Sequence, residues 1–475
     1  MYDVTVIGAG VIGGLTARAL TRYRLKVCIL ESESDVAMGA SGANSGIAHA
    51  GFDADTGTLK AKYNLLGAGM MPRVCEELGV KYRRNGSLVA AYTEEEEETL
   101  RILLARGAAN GVQGLSILSR EELFEAEPNI SETARGALYA ETGGIVCPYG
   151  LTIAAVGNAM DNGADLFYDS EVTAIRSTAD GFLVRSKTGE IETRFIVNAA
   201  GLFADRIAGM IGDASFQVHA RKGEYILLDK SSGYYVRHTL FGCPTKRGKG
   251  ILISPTVDGN LIVGPTAEEI DSKEDKATTA NGLSDLIRRA GKMVKDLPLQ
   301  NTITSFAGVR AFSDRHDFVI GASGVNARMI HVAGIESPGL TSAPAIAEEV
   351  VRLISLQTEL KPNEDFSPYR RADSYFQSLG AAEKNRLIAE NGDFGKVICR
   401  CEGITRGEIV DAVLRNPPAN TTDGVKRRTR AGMGRCQGGF CQPSVAEIIA
   451  ECRGIPLTDV TKCGKHSYLL EGRTK

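Results

Sequence analysis

The sequence predicts an α/β protein with two larger sheet-containing units and a small helical unit at its C-terminal end. Three observations predict this fold. An apolar strand near residue 4 runs into a glycine-rich turn and a helix, runs of alternating apolar residues occupy the middle of the chain, and two close cysteine pairs lie beyond residue 395. The 475 residues are enough for two or three domains, and 43% hydrophobic with 24% charged residues is typical of globular proteins.

The first element is a strand, turn and helix. Residues 4–7 are apolar, and Gly8-Ala9-Gly10-Val11-Ile12-Gly13 then forms a G-x-G-x-x-G turn. Apolar residues at helical spacing follow, and a second apolar run over 26–30 ends at Glu31. A glycine turn between a strand and a helix, with an acidic residue after the second strand, is typical of a dinucleotide-binding βαβ unit.

Each residue of this unit has an expected role. Gly8 permits the tight turn, Gly10 lets the backbone approach a pyrophosphate, and Gly13 lets the helix pack closely on the strand. The helix N-terminus favours a phosphate through its N–H groups and dipole. Glu31 can accept hydrogen bonds from an adenosine ribose and would repel a 2′-phosphate.

The next segment distinguishes between two dinucleotides. The glycine turn alone fits both FAD and NAD. Residues 39–51 are small and glycine-rich, with few apolar anchors. Such a segment can run with its backbone against a flat ring system and offer many N–H donors. We therefore expect FAD.

Several further segments of the sequence are similar to those of a known protein family. They are the opening βαβ unit and the segments 44–51, 198–201, 308–310 and 334–341. Together, in this order along residues 1–355, they resemble the D-amino-acid-oxidase-like flavoprotein superfamily, which includes glycerol-3-phosphate dehydrogenases and L-2-hydroxyglutarate dehydrogenases. The motif and the resemblance together predict these FAD-binding residues: Gly8, Gly10, Gly13, Glu31, Ser41, Asn44, Ser45, Gly46, Val172, Ala200, Gly201, Gly334, Gly339, Leu340 and Thr341.

We expect a Rossmann-like FAD domain that is discontinuous in sequence, because apolar strand patterns return to it twice. Its predicted segments are 1–85, 146–212 and 318–358. The intervening residues 86–145 and 213–317 alternate between apolar and polar, which predicts an antiparallel-sheet substrate domain. Residues 359–394 predict a linker, and residues 395–460 a small helical cysteine-cluster domain.

Two residues are the candidates for catalysis. His49 lies in the segment expected near the flavin ring, and histidine has a suitable pKa for accepting a hydroxyl proton. The forked guanidinium of Arg310 suits a carboxylate or a phosphate. In the resembling family the matching residues lie at the substrate. Alternatively, His49 only hydrogen-bonds the cofactor and Arg310 forms a surface ion pair. Ser45, Lys246 and Ser337 are weaker candidates for substrate binding.

Four of the ten cysteines form two close pairs. Cys399 and Cys401 give C-x-C, and Cys436 and Cys441 give C-x4-C after a spacer of 34 residues. Four thiolates in two pairs suit zinc or a 2Fe–2S cluster, although structural zinc prefers C-x2-C spacing. Residues 395–455 resemble the ferredoxin-like domain related to bacterioferritin-associated ferredoxin, which implies 2Fe–2S; zinc and an empty site remain open.

Other expectations concern the surroundings of this site. Cys452 and Cys463 are expected to be structural. The basic run 426–430 predicts a solvated face, or charge compensation beside the cluster or an acidic partner. Because the cysteines lie beyond the last predicted segment of the FAD domain, we expect FAD to bind independently of the cluster.

The predicted enzyme is a FAD-dependent dehydrogenase that oxidises a small anionic 2-hydroxy compound. Glycerol 3-phosphate is the first candidate substrate and L-2-hydroxyglutarate or another 2-hydroxy acid the second. The same cofactor motifs would also suit a non-catalytic electron-transfer flavoprotein subunit or an amino-acid oxidase. Electrons would pass from FAD through the cluster to a partner protein subunit.

Composition bears on partners and location. A net charge of −3 argues against nucleic acid as a main partner. No stretch approaches the roughly 20 apolar residues of a membrane-spanning helix. The N-terminus runs directly into a strand pattern without an export signal, so we expect a cytoplasmic protein.

One prediction follows from the early loop alone. Residues 36–46 contain neither histidine nor cysteine, the residues that would tether a flavin covalently there. Acid precipitation of the purified protein should therefore release yellow flavin into the supernatant. Flavin that remains with the precipitate would contradict non-covalent binding.

Overall fold

The computed structural model describes residues 1–244, 250–373 and 375–472. Two large sheets, a small three-stranded sheet and a C-terminal helical domain make up this part of the chain.

The strands of the first half of the chain are β1 (Tyr2–Ile7), β2 (Val27–Leu30), β3 (Ile47–Ala48), β4 (Tyr82–Arg83), β5 (Ser87–Ala91), β6 (Leu115–Leu118), β7 (Gly136–Ala140), β8 (Gly144–Val146), β9 (Asp165–Phe167), β10 (Val172–Ser177), β11 (Phe182–Ser186) and β12 (Gly189–Asn198). Those that follow are β13 (Val218–Leu228), β14 (Thr239–Gly242), β15 (Leu252–Pro255), β16 (Leu261–Gly264), β17 (Glu268–Ile270), β18 (Thr302–Ser313), β19 (Val319–Ala322), β20 (Met329–Ala333), β21 (Val397–Cys399) and β22 (Ile404–Thr405).

The helices are α1 (Val11–Leu20), α2 (Leu59–Glu77), α3 (Glu94–Ala109), α4 (Arg120–Ala126), α5 (Pro148–Asp161), α6 (Ala204–Gly209), α7 (Ala280–Met293), α8 (Gly339–Ser355), α9 (Tyr375–Ser378), α10 (Ala381–Glu390), α11 (Arg406–Leu414), α12 (Thr422–Thr429) and α13 (Gln442–Arg453). None of these described helices is long and apolar enough to cross a membrane.

The first sheet has a parallel centre. Its strands run in the order β10-β11-β12-β1-β2-β9, and β20 with β19 continues beside the end of β12. β1 pairs in parallel with both β2 and β12, and all four residues of β2 are buried. A strand buried on both faces needs a continuous apolar run, which explains the pattern of residues 26–30. Helix α1 packs against α5 and α8 to form the largest buried core.

The second sheet contains most of the strands from the middle of the chain. It runs β17-β13-β16-β15-β14-β5-β7-β6, and β18 pairs with β13 along its length. One pair departs from the predicted antiparallel arrangement, because β14 and β5 are parallel, with Thr239 opposite Ser87. Sequence alternation cannot distinguish the two directions, since both place successive side chains on opposite faces.

Each large sheet takes its strands from separate parts of the chain. The first sheet uses residues within 2–30, 165–198 and 319–333, and the second uses residues within 87–140 and 218–313. We therefore propose the domain boundaries that the sequence predicts. The segment expected to be a linker contains α9 and α10.

Close helix packing yields a prediction for stability. Gly67 on α2 is buried, and a Cβ there would lie 2.0 Å from the carbonyl oxygen of Thr341 on α8. Gly67→Ala must push the two helices apart, and we expect a loss of about 1–3 kcal/mol in the free energy of unfolding.

Gly69 on the same helix provides a matched control, because an added Cβ would meet nothing within 4 Å. Gly69→Ala should leave stability unchanged or raise it by up to about 1 kcal/mol through helix propensity. Urea unfolding of both variants measures the difference. Equal midpoints would show that the α2–α8 contact is not as tight as the structure has it.

Candidate active site

A cavity of about 1150 Å³ is lined by residues of both large sheets. One end lies at the carboxyl ends of β1 and β2, where Gly8, Gly10 and Glu31 line it. The other end is lined by His49 and Arg310. The carboxyl ends of parallel strands are the usual site for a nucleotide cofactor in such sheets.

The glycine turn leaves no room for side chains. Gly8 has φ +105°, and a Cβ there would lie 2.5 Å from the carbonyl oxygen of Ala199. A Cβ on Gly13 would lie 1.9 Å from the carbonyl oxygen of Gly8. These contacts bring the start of α1 and the ends of β1 and β12 together, as a pyrophosphate-binding turn requires.

Glu31 is buried beside this turn. Its carboxylate accepts hydrogen bonds from the amide of Ala9 at 2.7 Å and from the amide of Glu33 at 3.0 Å. Burial raises the pKa of Glu31 despite these bonds. Glu31 also lines the cavity, and its contact with a ribose hydroxyl stays a prediction.

The following loop is ordered by its own side chains. The hydroxyl of Ser41 accepts a hydrogen bond of 2.9 Å from the amide of Val11, the first residue of α1. Asn44 donates to the carbonyl oxygen of Ala40 at 3.0 Å and accepts from the amide of Gly46 at 2.9 Å. These bonds hold the backbone of the loop along the cavity wall, the arrangement expected beside a flat ring.

His49 is held from two directions. Its amide donates to the hydroxyl of Thr341 at 2.9 Å, and its ring Nε2 lies 3.2 Å from the hydroxyl of Ser337. Its ring also stacks on Phe241, with ring centroids 6.0 Å apart. The imidazole therefore has a fixed orientation at the cavity wall.

Arg310 lies on β18 at the same end. Its Nη2 donates to the carbonyl oxygen of Thr266 at 2.8 Å, whereas its Nε is buried and has no hydrogen-bond partner in the described part of the chain. Arg310 also lines the cavity, and its forked, positively charged guanidinium suits an anionic ligand.

Most predicted site residues line this cavity: Gly8, Gly10, Glu31, Ser41, Asn44, Ser45, His49, Val172, Ala200, Gly201, Arg310, Ser337, Gly339 and Leu340. Four predicted cofactor-binding residues do not line it: Gly13, Gly46, Gly334 and Thr341. Of these, Gly13 packs against the backbone of Gly8, and the hydroxyl of Thr341 accepts a hydrogen bond from the amide of His49. Lys246 lies outside the described residues.

Sequence reasoning missed several polar residues of the cavity. Tyr225 on β13 hydrogen-bonds Ser45, and burial raises its pKa. Lys60 and Arg221 both contact Glu336 at the cavity wall, at 2.8 and 3.5 Å. Tyr225 has the pattern of an ordinary core residue in an alternating strand, so no sequence signal distinguishes it.

The four paired cysteines come together in the C-terminal domain. Cys399 and Cys441 are hydrogen-bonded and buried, and Cys401 lies 3.7 Å from Cys436, sulfur to sulfur. Two thiol pairs match a two-iron cluster in which each iron takes two cysteine ligands. Among the described residues, no group of three or more His, Cys, Asp or Glu could hold a single metal ion.

Backbone amides surround these thiols. The amide of Gly432 hydrogen-bonds Cys399, and the amides of Gly438 and Phe440 hydrogen-bond Cys436. The hydrogen bond with Cys441 lowers the pKa of Cys399 to about 6 against the effect of burial. Amide donors to thiolates are the contacts that stabilise and tune an iron–sulfur cluster, so this donor set fits the group.

The basic run 426–430 is not a solvated face. Arg428 is 3% exposed and pairs with Asp35, while Arg430 pairs with Asp258 at 2.8 Å and with Glu402 at 2.8 Å. The sequence-based prediction of solvation is wrong, because these arginines find carboxylates on distant segments that no local pattern reveals.

Comparison with known proteins assigns the family. Residues 3–353 match the family described as FAD dependent oxidoreductase, and residues 397–451 match the BFD-like 2Fe-2S binding domain. The chain belongs to the FAD-dependent oxidoreductase family. The first match covers the whole cavity, and the second covers all four paired cysteines.

Relatives of known activity are similar over most of the chain. Glycerol 3-phosphate dehydrogenase of Caloramator mitchellensis is 47% identical, covering 100% of this chain and 99% of that protein. L-2-hydroxyglutarate dehydrogenase of Escherichia coli strain K12 is 31% identical, covering 65% of this chain and 74% of that protein. The solved structure of L-alpha-glycerophosphate oxidase from Mycoplasma pneumoniae with FAD bound has a TM-score of 0.75 at 32% identity, covering 78% of this chain and 98% of that one.

Several predictions from the sequence are thereby confirmed: the flavoprotein superfamily, the α/β fold, FAD as cofactor, the 2Fe–2S domain and a FAD-dependent oxidoreductase. The individual site residues, the partner subunit and the cytoplasmic location stay predictions.

The thiol arrangement gives a direct test of the metal. Protein purified without oxygen should contain about two iron ions per chain and no zinc, as a 2Fe–2S cluster requires. Cys436→Ser should lose the iron and its visible absorbance. Cys463→Ser, at an exposed cysteine outside the four, should keep both. Zinc in place of iron would contradict the assignment.

Proposed function

We propose that the protein oxidises sn-glycerol 3-phosphate to dihydroxyacetone phosphate and passes the electrons from FAD through the 2Fe–2S cluster to a partner protein. The observation that supports this proposal is that His49 and Arg310 line the same cavity as the glycine turn, within the described part of the chain. A base and an anion-binding group beside a hydride acceptor are what this oxidation needs.

The substrate would bind through its phosphate. Arg310 carries a permanent positive charge, and its bond to Thr266 holds the guanidinium in place. A charge-assisted hydrogen bond to phosphate orients the rest of the molecule and presents its secondary hydroxyl to the cavity wall near His49.

The chemical step removes one proton and one hydride from the substrate. The imidazole of His49 accepts the proton of the hydroxyl as the carbon–hydrogen bond breaks and a ketone forms. The Ser337 contact and the Thr341 bond keep the ring in the required orientation. When bound, FAD would supply the acceptor for the hydride, and a 2Fe–2S cluster held by Cys399, Cys401, Cys436 and Cys441 would supply one-electron transfer.

The exposed edge of the cysteine site supports electron exit to a partner. Cys401 is exposed and Cys436 is half-buried, whereas Cys399 and Cys441 are buried. A redox centre exposed on one edge can come close to an acceptor protein. The partner and the cytoplasmic location are therefore part of this proposal.

The alternative substrate is L-2-hydroxyglutarate or another 2-hydroxy acid. The named activity of relatives such as the E. coli protein favours it, and Arg310 would bind a carboxylate equally well. Anaerobic reduction of the flavin distinguishes the candidates. Bleaching by glycerol 3-phosphate alone supports the proposal, and bleaching by a 2-hydroxy acid alone overturns the choice of substrate.

Loss of the proposed base should slow the reaction itself. His49→Ala should lower kcat by ~10²-fold or more, the range for a lost general base. Stopped-flow flavin reduction measures this step directly. His219→Ala is the matched control, because His219 lies on the exposed side of β13 and does not line the cavity. Equal flavin-reduction rates for the wild type and His49→Ala would show that His49 is not the base.

Loss of the proposed anion-binding group should act mainly on binding. Arg310→Ala should raise KM for the anionic substrate by ~10-fold or more, through loss of a charge-assisted contact. Arg310→Lys should recover only part of this, because lysine lacks the fork. Arg101→Ala, at an exposed arginine on α3, should keep the wild-type KM. An unchanged KM in Arg310→Ala would place the anion elsewhere.

A further inference from the structure

The C-terminal domain contacts the loop that follows β2. Asp35 on this loop has only 1% of its side chain exposed. Its carboxylate accepts hydrogen bonds from Arg428 at 2.8 and 2.9 Å and from Arg427 at 2.6 Å, and both arginines lie on α12. The contact therefore joins two distant segments, since the pairs are 392 and 393 residues apart in sequence.

Further hydrogen bonds hold Arg428 and Asp35 in place. Arg428 also donates to the carbonyl oxygens of Pro417 and Gly424, each at 3.0 Å, and the amide of Val36 donates to Asp35 at 2.8 Å. Removal of one partner of such a buried pair leaves an uncompensated charge in the interior.

On the loop, Asp35 lies close to the predicted ribose site. Glu31, four positions earlier, holds the amide of Ala9 in the glycine turn. Ala37, two positions later, donates from its amide to the carbonyl oxygen of Ala9 at 3.2 Å. Both ends of this short segment therefore contact the glycine turn, and any shift of Asp35 must disturb Glu31 or Ala37.

Helix α12 also leads into the cysteine site. After its end at Thr429, the amide of Gly432 hydrogen-bonds Cys399, and a Cβ on Gly434 would lie 2.4 Å from the Cβ of Cys401. In sequence, α12 lies between the two cysteine pairs, so a bound cluster cross-links the chain on both sides of the helix. Metal binding of this kind orders the segment it encloses.

We propose that α12 couples the two cofactor sites. Arg428 and Arg427 position the loop of residues 31–37 through Asp35, so cluster assembly strengthens FAD binding and FAD binding strengthens retention of the cluster. The reciprocity is a thermodynamic requirement. The coupling does not depend on which substrate the enzyme oxidises. It replaces the sequence-based expectation that FAD binds independently of the cluster.

The first measurement uses the unaltered full-length protein. Its FAD is removed, and FAD affinity is then titrated by the change in flavin fluorescence, with the cluster present and after anaerobic removal by a chelator. Loss of the cluster should weaken FAD binding by about 5-fold to 150-fold, the usual range of coupling between sites. Affinities that agree within about twofold, well below that range, would overturn the proposal.

Two variants test the route of the coupling. In Arg428→Gln and in Asp35→Asn, the cluster-loaded protein should bind FAD almost as weakly as the cluster-free wild type, and cluster removal should have little further effect. Lys465→Ala is the matched control, because Lys465 forms an exposed ion pair with Asp169 between the same parts of the chain, at 3.0 Å. It should keep the wild-type coupling. Undiminished coupling in both variants would exclude this route.

The reciprocal measurement needs no substitution and guards against variants that fail to fold. The fraction of cluster retained by wild-type protein is measured from its visible absorbance after equilibration with increasing chelator, with FAD bound and with FAD removed. The chelator concentration that removes half of the cluster should be higher with FAD bound, and the apparent affinity for the cluster should rise by a factor in the same range. Equal half-removal concentrations would contradict the proposal whatever the variants do.

Discussion

The backbone contact between the glycine turn and the end of β12 is the constraint on which the site depends. A Cβ on Gly8 would collide with Ala199, and a Cβ on Gly13 would collide with Gly8. Because these positions carry no side chain, β1, β12 and the start of α1 can meet backbone to backbone. Glu31 and the segment 199–201 are thereby brought to one end of the cavity, where the helix N-terminus favours a phosphate.

The reacting end of the cavity is built differently, by side chains from separate segments. Arg310 comes from β18 and Tyr225 from β13, two strands paired along their length. Thr341 on α8 fixes His49, which follows β3. The packing of α2 on α8 supports Thr341 from behind, since Gly67 lies against its carbonyl oxygen. The packing of α2 on α8 therefore also positions the proposed base.

The C-terminal domain is joined to the rest by buried charges. Arg430 contacts Asp258 and Asn260 of the second sheet region and Glu402 beside the cysteine site. Arg428 contacts Asp35 near the first sheet. Separation of the domains would leave these charges without partners, so the ion pairs oppose it. A fixed orientation suits electron transfer between two cofactors, whose rate depends on their separation.

The sequence by itself determined the features that depend on local pattern. The glycine turn, the acid after β2, the buried strands and the cysteine spacing are short-range signals, and they led to the correct superfamily and cofactors. Tertiary structure alone decided which polar residues meet across long separations, such as Tyr225 with Ser45 and Arg428 with Asp35. It also decided the direction of β14 against β5. The reason is physical: an alternating strand or a basic run has the same sequence pattern whether its polar groups face water or a partner, and only the folded chain supplies that partner.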